Sequence, residues 1–385
     1  MRFLLVILLC TFGSIAQRPR LLAQIPLTTP EGFAVPQPGY RFSFPRDHGN
    51  HPDFKIEWWY VTGHLHAEGG RRFGFQATFF RSAGPRSGTN VSATFGSGHI
   101  FLAHMALLDT QTGKFFHQEK LNREGWDAAS SASTLAVLNG PWSLRLVDPA
   151  DTSPTPRLTL NGSIRAEVAF NLTLTPAKPL VVFGDDGVSR KGDDPTAASY
   201  YLTFSRLRAE GELTLGPAAA SVAATSEKIR VTGEAWMDHE ISSSQLSGGQ
   251  VGWDWLSVQF TDGRELMLYQ LRRADGTADP ASTLAWVDAA GKTQRATFSL
   301  EIIDRWKSPT TGASYPSRLR LTTTDSATNA PVRLLIEPLA KNQELTGALG
   351  GIPYWEGACR IRDDSGRELG SGFLELTGYA QALKL

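Results

Sequence analysis

Apolar and polar residues alternate at a period of two along the chain, while the 3.6-residue periodicity of amphipathic helices is nearly absent. Apolar residues take every second position of 73–79, and the even positions of 100–108 form a second such face. Residues 253–260 and 265–272 flank Asp262-Gly263, a pair typical of a tight hairpin turn. Short strands joined by such turns predict an all-β chain of antiparallel barrels or sandwiches.

The charge balance narrows the range of partners. The chain carries 38 Lys and Arg residues against 38 Asp and Glu, so its formal net charge at pH 7 is zero. A balanced surface lacks the basic patch that nucleic acids and anionic membranes bind, and it excludes those partners. At 385 residues, 41% of them hydrophobic, the chain is large enough for two domains that each bury a core.

The N-terminus has the layout of a secretory signal peptide. Arg2 precedes an apolar run over 3–11, and small residues follow up to Ala16. We therefore expect residues 1–16 to be removed by cleavage after Ala16, which predicts a secreted or periplasmic protein that does not span the membrane. Cys359 is then the only cysteine of the mature chain, so an internal disulfide is excluded.

Composition also suggests how the chain divides. Residues 17–40 are rich in Pro and Gln and are expected to form a linker. The Ala-rich stretch 217–225 is suited to a joint between domains. We therefore expect one β domain over 41–220 and a second over 228–385, with an oligomeric state that the sequence leaves open.

The densest cluster of polar and aromatic residues lies around Asp238. On a strand, Trp236, Asp238 and Glu240 point to the same side, with the two carboxylates roughly 7 Å apart. In a pocket, desolvation and like charge raise the pKa of one carboxyl, which can then donate a proton. Its ionised neighbour, or His239, can take a proton from water. The alternative is a solvated strand end with ordinary carboxylates, but the adjacent Trp236 favours burial.

Three further acids lie among aromatic residues. Asp254 shares a predicted strand face with apolar side chains, and Arg272 or Arg273 on the facing strand is its expected partner. Glu57 and Glu356 each adjoin a pair of aromatic residues of the kind usually found in a core. We interpret all three acids as structural.

Patterns that hold metals or cofactors are missing from the sequence. His64 and His66 share a strand face, but no third ligand follows at a recognisable spacing. The sequence has no HExxH or CxxC motif, nucleotide-binding loop or serine-hydrolase elbow. We therefore predict a protein without metal or cofactor.

Several segments form a recognisable series, in order and across nearly the whole mature chain. They are the stretches 47–49, 57–63, 73–76, 79–81, 198–201, 236–240, 252–255, 315–316, 343–345, 354–357 and 376–379. Together they resemble the AttH-like, carotenoid 1,2-hydratase-like group of exported lipocalin-like proteins. The chain departs from the group in one place, since Ile241 stands where relatives usually carry Trp.

The resemblance implies two lipocalin-like antiparallel β-barrels packed side by side, with a pocket near their junction. It also implies a lipophilic, isoprenoid-type ligand, hydration of a double bond without a cofactor, and Asp238 in the position of the general acid. Together with the residue patterns, it predicts Asp238, Glu240 and His239 as catalytic residues. The residues expected to contact the substrate are Trp236, Trp253, Trp255, Tyr60, His104, Tyr201 and Tyr269.

Three functions remain open on the sequence. The first is a cofactor-independent hydratase or related lyase or isomerase acting on an unsaturated lipophilic substrate. The second is a protein that binds or transfers hydrophobic ligands at a barrel mouth without chemistry. The third is a secreted hydrolase, for which the sequence offers carboxylates but no nucleophile elbow.

Overall fold

The computed structural model describes residues 25–86, 98–216, 226–349 and 352–383. Their strands form two antiparallel sheets, each curled into a nearly closed, barrel-like domain, which confirms the predicted all-β fold. One turn of 3-10 helix, Arg46–His48, precedes the first strand. Within these four ranges no helix is long and apolar enough to cross a membrane.

The first barrel is a sheet of thirteen strands. In chain order they are β1 Ile56–Ala67, β2 Arg72–Ser82, β3 Ile100–Asp109, β4 Lys114–Arg123, β5 Ala128–Ser130, β6 Ala136–Asn139, β7 Trp142–Leu146, β8 Leu158–Ile164, β9 Val168–Pro176, β10 Val181–Phe183, β11 Ser189–Arg190, β12 Ala198–Leu215 and β13 Glu227–Ser244. The strand order across the sheet is β4-β3-β2-β1-β13-β12-β9-β8-β7-β6-β5, with β10 and β11 paired to β12. The Asn139 amide of β6 donates to the Phe101 carbonyl of β3 and so ties the two ends of the sheet together.

The second barrel is a sheet of ten strands. They are β14 Gln250–Phe260, β15 Glu265–Arg273, β16 Thr283–Val287, β17 Thr293–Ala296, β18 Phe298–Lys307, β19 Ser314–Thr324, β20 Pro331–Pro338, β21 Glu344–Leu345, β22 Tyr354–Arg362 and β23 Glu368–Leu376. Their order is β17-β16-β15-β14-β23-β22-β20-β19-β18, with β21 paired to β22. The predicted hairpin around Asp262-Gly263 corresponds to β14 and β15.

Each barrel has its own hydrophobic core. The odd positions of β2 point into the first barrel, as the alternation predicts, from Phe73 to Phe79. In β3 the core face is instead the odd set, including Phe101 and Met105, and the even set predicted from 100–108 points outward. The outer face of β3 is itself partly covered by the second barrel, with His104 buried there, so alternation alone cannot tell its two faces apart.

The sheets divide later in the chain than the expected domain limits. The predicted joint, 217–225, lies outside the described residues, as do the signal peptide and residues 17–24 of the predicted linker. Strand β13 belongs to the first sheet because it pairs with β1 and β12, so the change of sheet falls between Ser244 and Gln250. The rest of the linker lies on the first barrel, where Phe33 and Val35 are buried.

The two barrels pack side by side through their outer faces. Strands β1 and β2 lie against β22 and β23, where Gly74 faces Ala358 and His64 Nε2 lies 2.9 Å from the Gly372 carbonyl. A third hydrophobic cluster fills part of this junction and takes residues from both sheets. It contains five of the predicted ligand contacts, which are Tyr60, Tyr201, Trp236, Trp255 and Tyr269.

Candidate active site

A cavity of about 260 Å³ lies at the junction of the barrels. Its walls are the outer faces of β1, β2, β3, β12 and β13 on one side and of β14, β15, β22 and β23 on the other. Most of the lining is aromatic or aliphatic, as in small-molecule sites generally. Eight of the ten predicted site residues line it, which are Asp238, Glu240, Tyr60, His104, Tyr201, Trp253, Trp255 and Tyr269.

Asp238 lies in the wall between hydrogen-bond donors that carry no charge. Its Oδ1 accepts from Thr203 Oγ1 at 2.6 Å and from Trp236 Nε1 at 2.7 Å, and its Oδ2 accepts from Tyr201 Oη at 2.7 Å. Burial raises the pKa of Asp238 to about 7, the charge of Glu240 adds to the rise, and these hydrogen bonds limit it. Asp238 is therefore an acid that is still half protonated near neutral pH.

Trp236 acts on this acid from outside the cavity lining. Trp236 is 1% exposed, and strand alternation places its side chain on the same face of β13 as Asp238. Trp236, which the sequence predicts as a substrate contact, instead donates a hydrogen bond to Asp238.

Glu240 differs from Asp238 because it forms an ion pair with a lysine. The Nζ of Lys191, a side chain with no solvent exposure, lies 2.9 Å from Glu240 Oε2, and Ser199 Oγ donates to the same oxygen. The Lys191 ammonium also lies over the rings of Tyr201 and Tyr269, at 4.9 and 4.2 Å from their centroids. Asp238 and Glu240 thus share a strand face but differ in their surroundings, since Asp238 contacts uncharged donors and Glu240 contacts a cation. Such a difference suits one carboxyl to act as an acid and the other as a base.

Two more acids reach the cavity from the second barrel. Glu356 Oε2 accepts a hydrogen bond from Tyr60 Oη at 2.7 Å, and Glu356 pairs in register with Glu375 on β23. Burial raises the pKa of Glu375 to about 8, against a hydrogen bond from Trp253 and with help from the negative charge of nearby acids. Burial, with the charge of Glu375, also raises the pKa of Glu356 far above its usual range.

His104 forms a polar contact across the junction. Its Nδ1 lies 2.5 Å from Tyr354 Oη, and burial lowers the pKa of the imidazole to about 4. The ring is therefore neutral at pH 7 and can orient a polar group, but it brings no positive charge to the cavity.

His239 lies on the opposite face of β13, which corrects its predicted place in the site. Its ring stacks on Trp59 at 4.8 Å, and its Nε2 lies 2.8 Å from Glu57 Oε1 inside the first barrel. The physical reason is the period of the strand, since neighbours in sequence point to opposite sides. His239 therefore has no route to a substrate in the cavity, and Ile241 shares its inward orientation.

Glu57 is the centre of this second buried group. His51 Nδ1 lies 2.8 Å from Glu57 Oε1, His51 Nε2 lies 3.1 Å from Asp47 Oδ1, and Arg81 Nη2 lies 3.3 Å from Glu57 Oε2. His51, Glu57 and His239 are close enough for their ligand atoms to surround a metal ion. The adjacent guanidinium already neutralises the carboxylate, however, so the cluster reads as an ion-pair network that fixes β1 against β13. Metal independence stays a prediction.

The structural interpretation of Asp254 agrees with its contacts. Its Oδ1 accepts from Arg272 Nε at 3.0 Å, and Tyr379 Oη donates to Oδ2 at 3.2 Å. Glu356, interpreted in the same way from the sequence, lies instead on the cavity wall.

Sequence patterns gave no indication of Lys191 or Glu375 as site residues. Lys191 directly follows the two-residue strand β11, in a polar stretch without periodicity. Glu375 alternates with buried Leu374 and Leu376, the pattern of an ordinary solvent-facing acid. The pair Trp253 and Trp255 on β14 is the signal that could have indicated it. Two tryptophans on the outer face of a strand imply that this face, and the adjacent face of β23 that carries Glu375, is covered.

Comparisons with known proteins agree with the fold and the sequence segments. The profile of the AttH-like family matches residues 35–379. A solved structure described as an AttH from Nitrosomonas europaea is 35% identical, with a TM-score of 0.77 over 90% of this chain and 99% of that one. Kievitone hydratase from Nectria haematococca shares the fold at 14% identity, with a TM-score of 0.65 over 92% of this chain and 96% of that one. Among curated proteins, none is significantly similar in sequence. The chain belongs to the AttH-like family.

Proposed function

We propose that the protein is a hydratase-type enzyme that adds water to a double bond of a lipophilic substrate by acid–base chemistry, without a cofactor. The observation that carries this proposal is the pair Asp238 and Glu240, in which one buried carboxyl keeps its proton near pH 7 and the other faces a lysine. The aromatic cavity around the pair and the hydratase that shares the fold support the same reaction class.

In the proposed reaction Asp238 protonates one carbon of the double bond, and the positive charge develops on the other carbon. The faces of Trp253 and Trp255 stabilise this cation. Water then bonds to the cationic carbon while Glu240 accepts its proton, so the net change is addition of H and OH. Exchange of a proton between the two neighbouring acids, or with solvent, restores the starting state.

Asp238→Asn tests the assignment of the acid. The amide keeps the size of the side chain and can accept from Thr203 and Trp236, but it cannot deliver a proton. Hydration should fall by ~10²–10⁴. It is measured by mass spectrometry in H₂¹⁸O with isoprenoid alkenes as probes, while quenching of tryptophan fluorescence measures their binding, which should change little.

A matched control is Asp109→Asn, which alters a buried carboxylate of the same sheet that pairs with Arg71 at 2.9 Å, away from the cavity. Its hydration activity per folded molecule should equal that of the wild type. An Asp238→Asn protein that melts early and binds weakly, or one that retains full activity, would remove Asp238 from the role of acid.

A carrier for hydrophobic ligands is the second candidate, and the apolar cavity favours it. The cavity lies between the barrels, whereas each barrel interior holds packed side chains, so a ligand would bind at the junction and not at a barrel mouth. Native mass spectrometry of the protein from its source identifies a bound ligand, and turnover of that ligand separates enzyme from carrier. Release of product from ester probes would favour the hydrolase instead.

We also propose that the protein is exported after loss of residues 1–16. The signal-peptide pattern of the sequence supports this proposal. The intact mass of the protein recovered outside the cytoplasm tests it, since a retained N-terminus would exclude export by this route.

A further inference from the structure

Glu356 and Glu375 are two acids on one wall of the cavity without a countercharge. They are direct partners on β22 and β23, which places their Cβ atoms ~5 Å apart on one face of the sheet. In the part of the chain that the structure describes, the cavity lining around them holds no Lys or Arg, and its His104 is neutral. Two carboxylates this close would repel one another strongly in so apolar a place.

The balance of charge therefore favours protonated carboxyls on this wall. Burial raises the pKa of Glu375 to about 8 and that of Glu356 far above its usual range, in agreement with their geometry. A protonated carboxyl has one O–H to donate, whereas a carboxylate only accepts. Tyr60 already donates to one oxygen of Glu356, so the free donors of the pair face the cavity or one another.

The composition of the whole lining also disfavours a negatively charged ligand. Its ionisable side chains are four acids, four tyrosines and the neutral His104, and the described lining holds no Lys or Arg. The ammonium of Lys191, which lies close to the lining, is already paired with Glu240. A carboxylate or phosphate on a ligand would thus meet no unpaired cation in the described lining, and its loss of water would go uncompensated.

We infer that Glu356 and Glu375 form a hydrogen-bonding clamp for an oxygen atom of the ligand, so that the substrate is an uncharged, oxygen-bearing lipophile. A hydroxyl or carbonyl group would accept from the clamp while the apolar remainder lies against the aromatic walls. A pure hydrocarbon would cover the two acids without giving them a partner, which costs binding free energy. This inference rests on the proposed site and deepens the proposed function by naming the class of substrate.

Equilibrium binding at pH 6.5 tests the clamp separately from catalysis. The probes are three C15 compounds of one skeleton, farnesene, farnesol and farnesoic acid, titrated against the tryptophan fluorescence of the full chain. Farnesol should bind about 10-fold more tightly than either of the others, the ratio that one or two net hydrogen bonds give. Equal affinity for farnesol and farnesene, or tighter binding of farnesoic acid, would overturn the inference.

Two variants of one residue supply the matched control. Glu375→Gln keeps a donor of the same size and should retain the preference for farnesol over farnesene. Glu375→Leu removes the donor and should abolish most of that preference while farnesene binds as well as before or better. If both variants keep the preference, Glu375 is not part of a clamp. If the preference follows this pattern but no probe is hydrated, the proposed reaction fails and the clamp stands.

Discussion

Lys191 and Glu240 form a buried ion pair next to the general-acid candidate, with Lys191 fully enclosed. Lys191→Met keeps most of the volume but leaves the Glu240 carboxylate without its cation. We expect a loss of about 3–5 kcal/mol of unfolding free energy at pH 8, because a buried charge is then uncompensated. Urea unfolding measures the loss.

The double variant Lys191→Met/Glu240→Gln is the control for this pair. Removing both charges leaves no uncompensated ion, so the double variant should recover much of the lost stability. Equal losses in the single and double variants would mean that the two side chains are not coupled.

The individual residues differ in how far the sequence could locate them. Asp238 and Glu240 could be placed on one face of a strand because alternation is a local property. The same rule, applied to His239, excludes it from that face. Lys191 could not be located, since its contact with Glu240 exists only once β11 and β13 have both packed on β12.

Strands β2 and β22 approach one another closely where the barrels meet. A Cβ atom at Gly74 would lie 2.4 Å from the Cβ of Ala358, so this approach requires a glycine on one side. Gly74→Ala should push the strands apart, cost ~1–3 kcal/mol and weaken ligand binding in the adjacent cavity. Thermal melting and probe titration measure the two effects.

The exchange Gly74→Ala/Ala358→Gly returns the missing space to the contact and should restore both stability and binding. Gly248→Ala is the neutral control, since nothing lies within 4 Å of a Cβ atom added there. A destabilised exchange variant would show that the two positions do not pack as a pair.

At the level of strands, period-two alternation predicted the class of fold and the hairpin β14–β15. It could not assign the faces of β3, because a strand between a barrel core and a neighbouring barrel is buried on both sides. Local patterns could also not predict that the chain changes sheet after β13. The membership of β13 in the first sheet depends on its pairing with β1, which is far away in the sequence.

The whole molecule should be most stable on the acid side of neutrality. Asp238 and Glu375 have a pKa raised to about 7 and about 8, so the folded chain holds protons that the unfolded chain loses above pH ~4. Stability therefore falls as the pH rises from about 4 through these two pKa values. His48 and His64 have a pKa lowered to about 3, and His104 to about 4, so stability also falls below pH ~6.5 as the unfolded chain takes up protons.

These opposing effects predict a plateau between roughly pH 4.5 and 6.5, where they offset one another. Between pH 6.5 and 8 the histidines with a lowered pKa no longer contribute, while Asp238 and Glu375 still do. The unfolding free energy should then drop by up to about 1.4 kcal/mol per pH unit for each proton involved. Urea unfolding across this range measures the slope, and Glu375→Gln should reduce it. A stability that rises from pH 6.5 to 8 would contradict the prediction.

The location of the cavity between two barrels has a consequence for how such a protein diversifies. Its wall consists of outward-pointing side chains, so exchanging them opens no void in either barrel core. Ligand preference can therefore drift while the scaffold persists, which is the freedom that loops provide in other enzymes. Because each barrel supplies one wall of the cavity, the complete site requires both halves of the chain. A gene fragment that encodes the first barrel alone would keep Asp238 and Glu240 but lose the opposite wall, with Trp253, Trp255 and the acids Glu356 and Glu375.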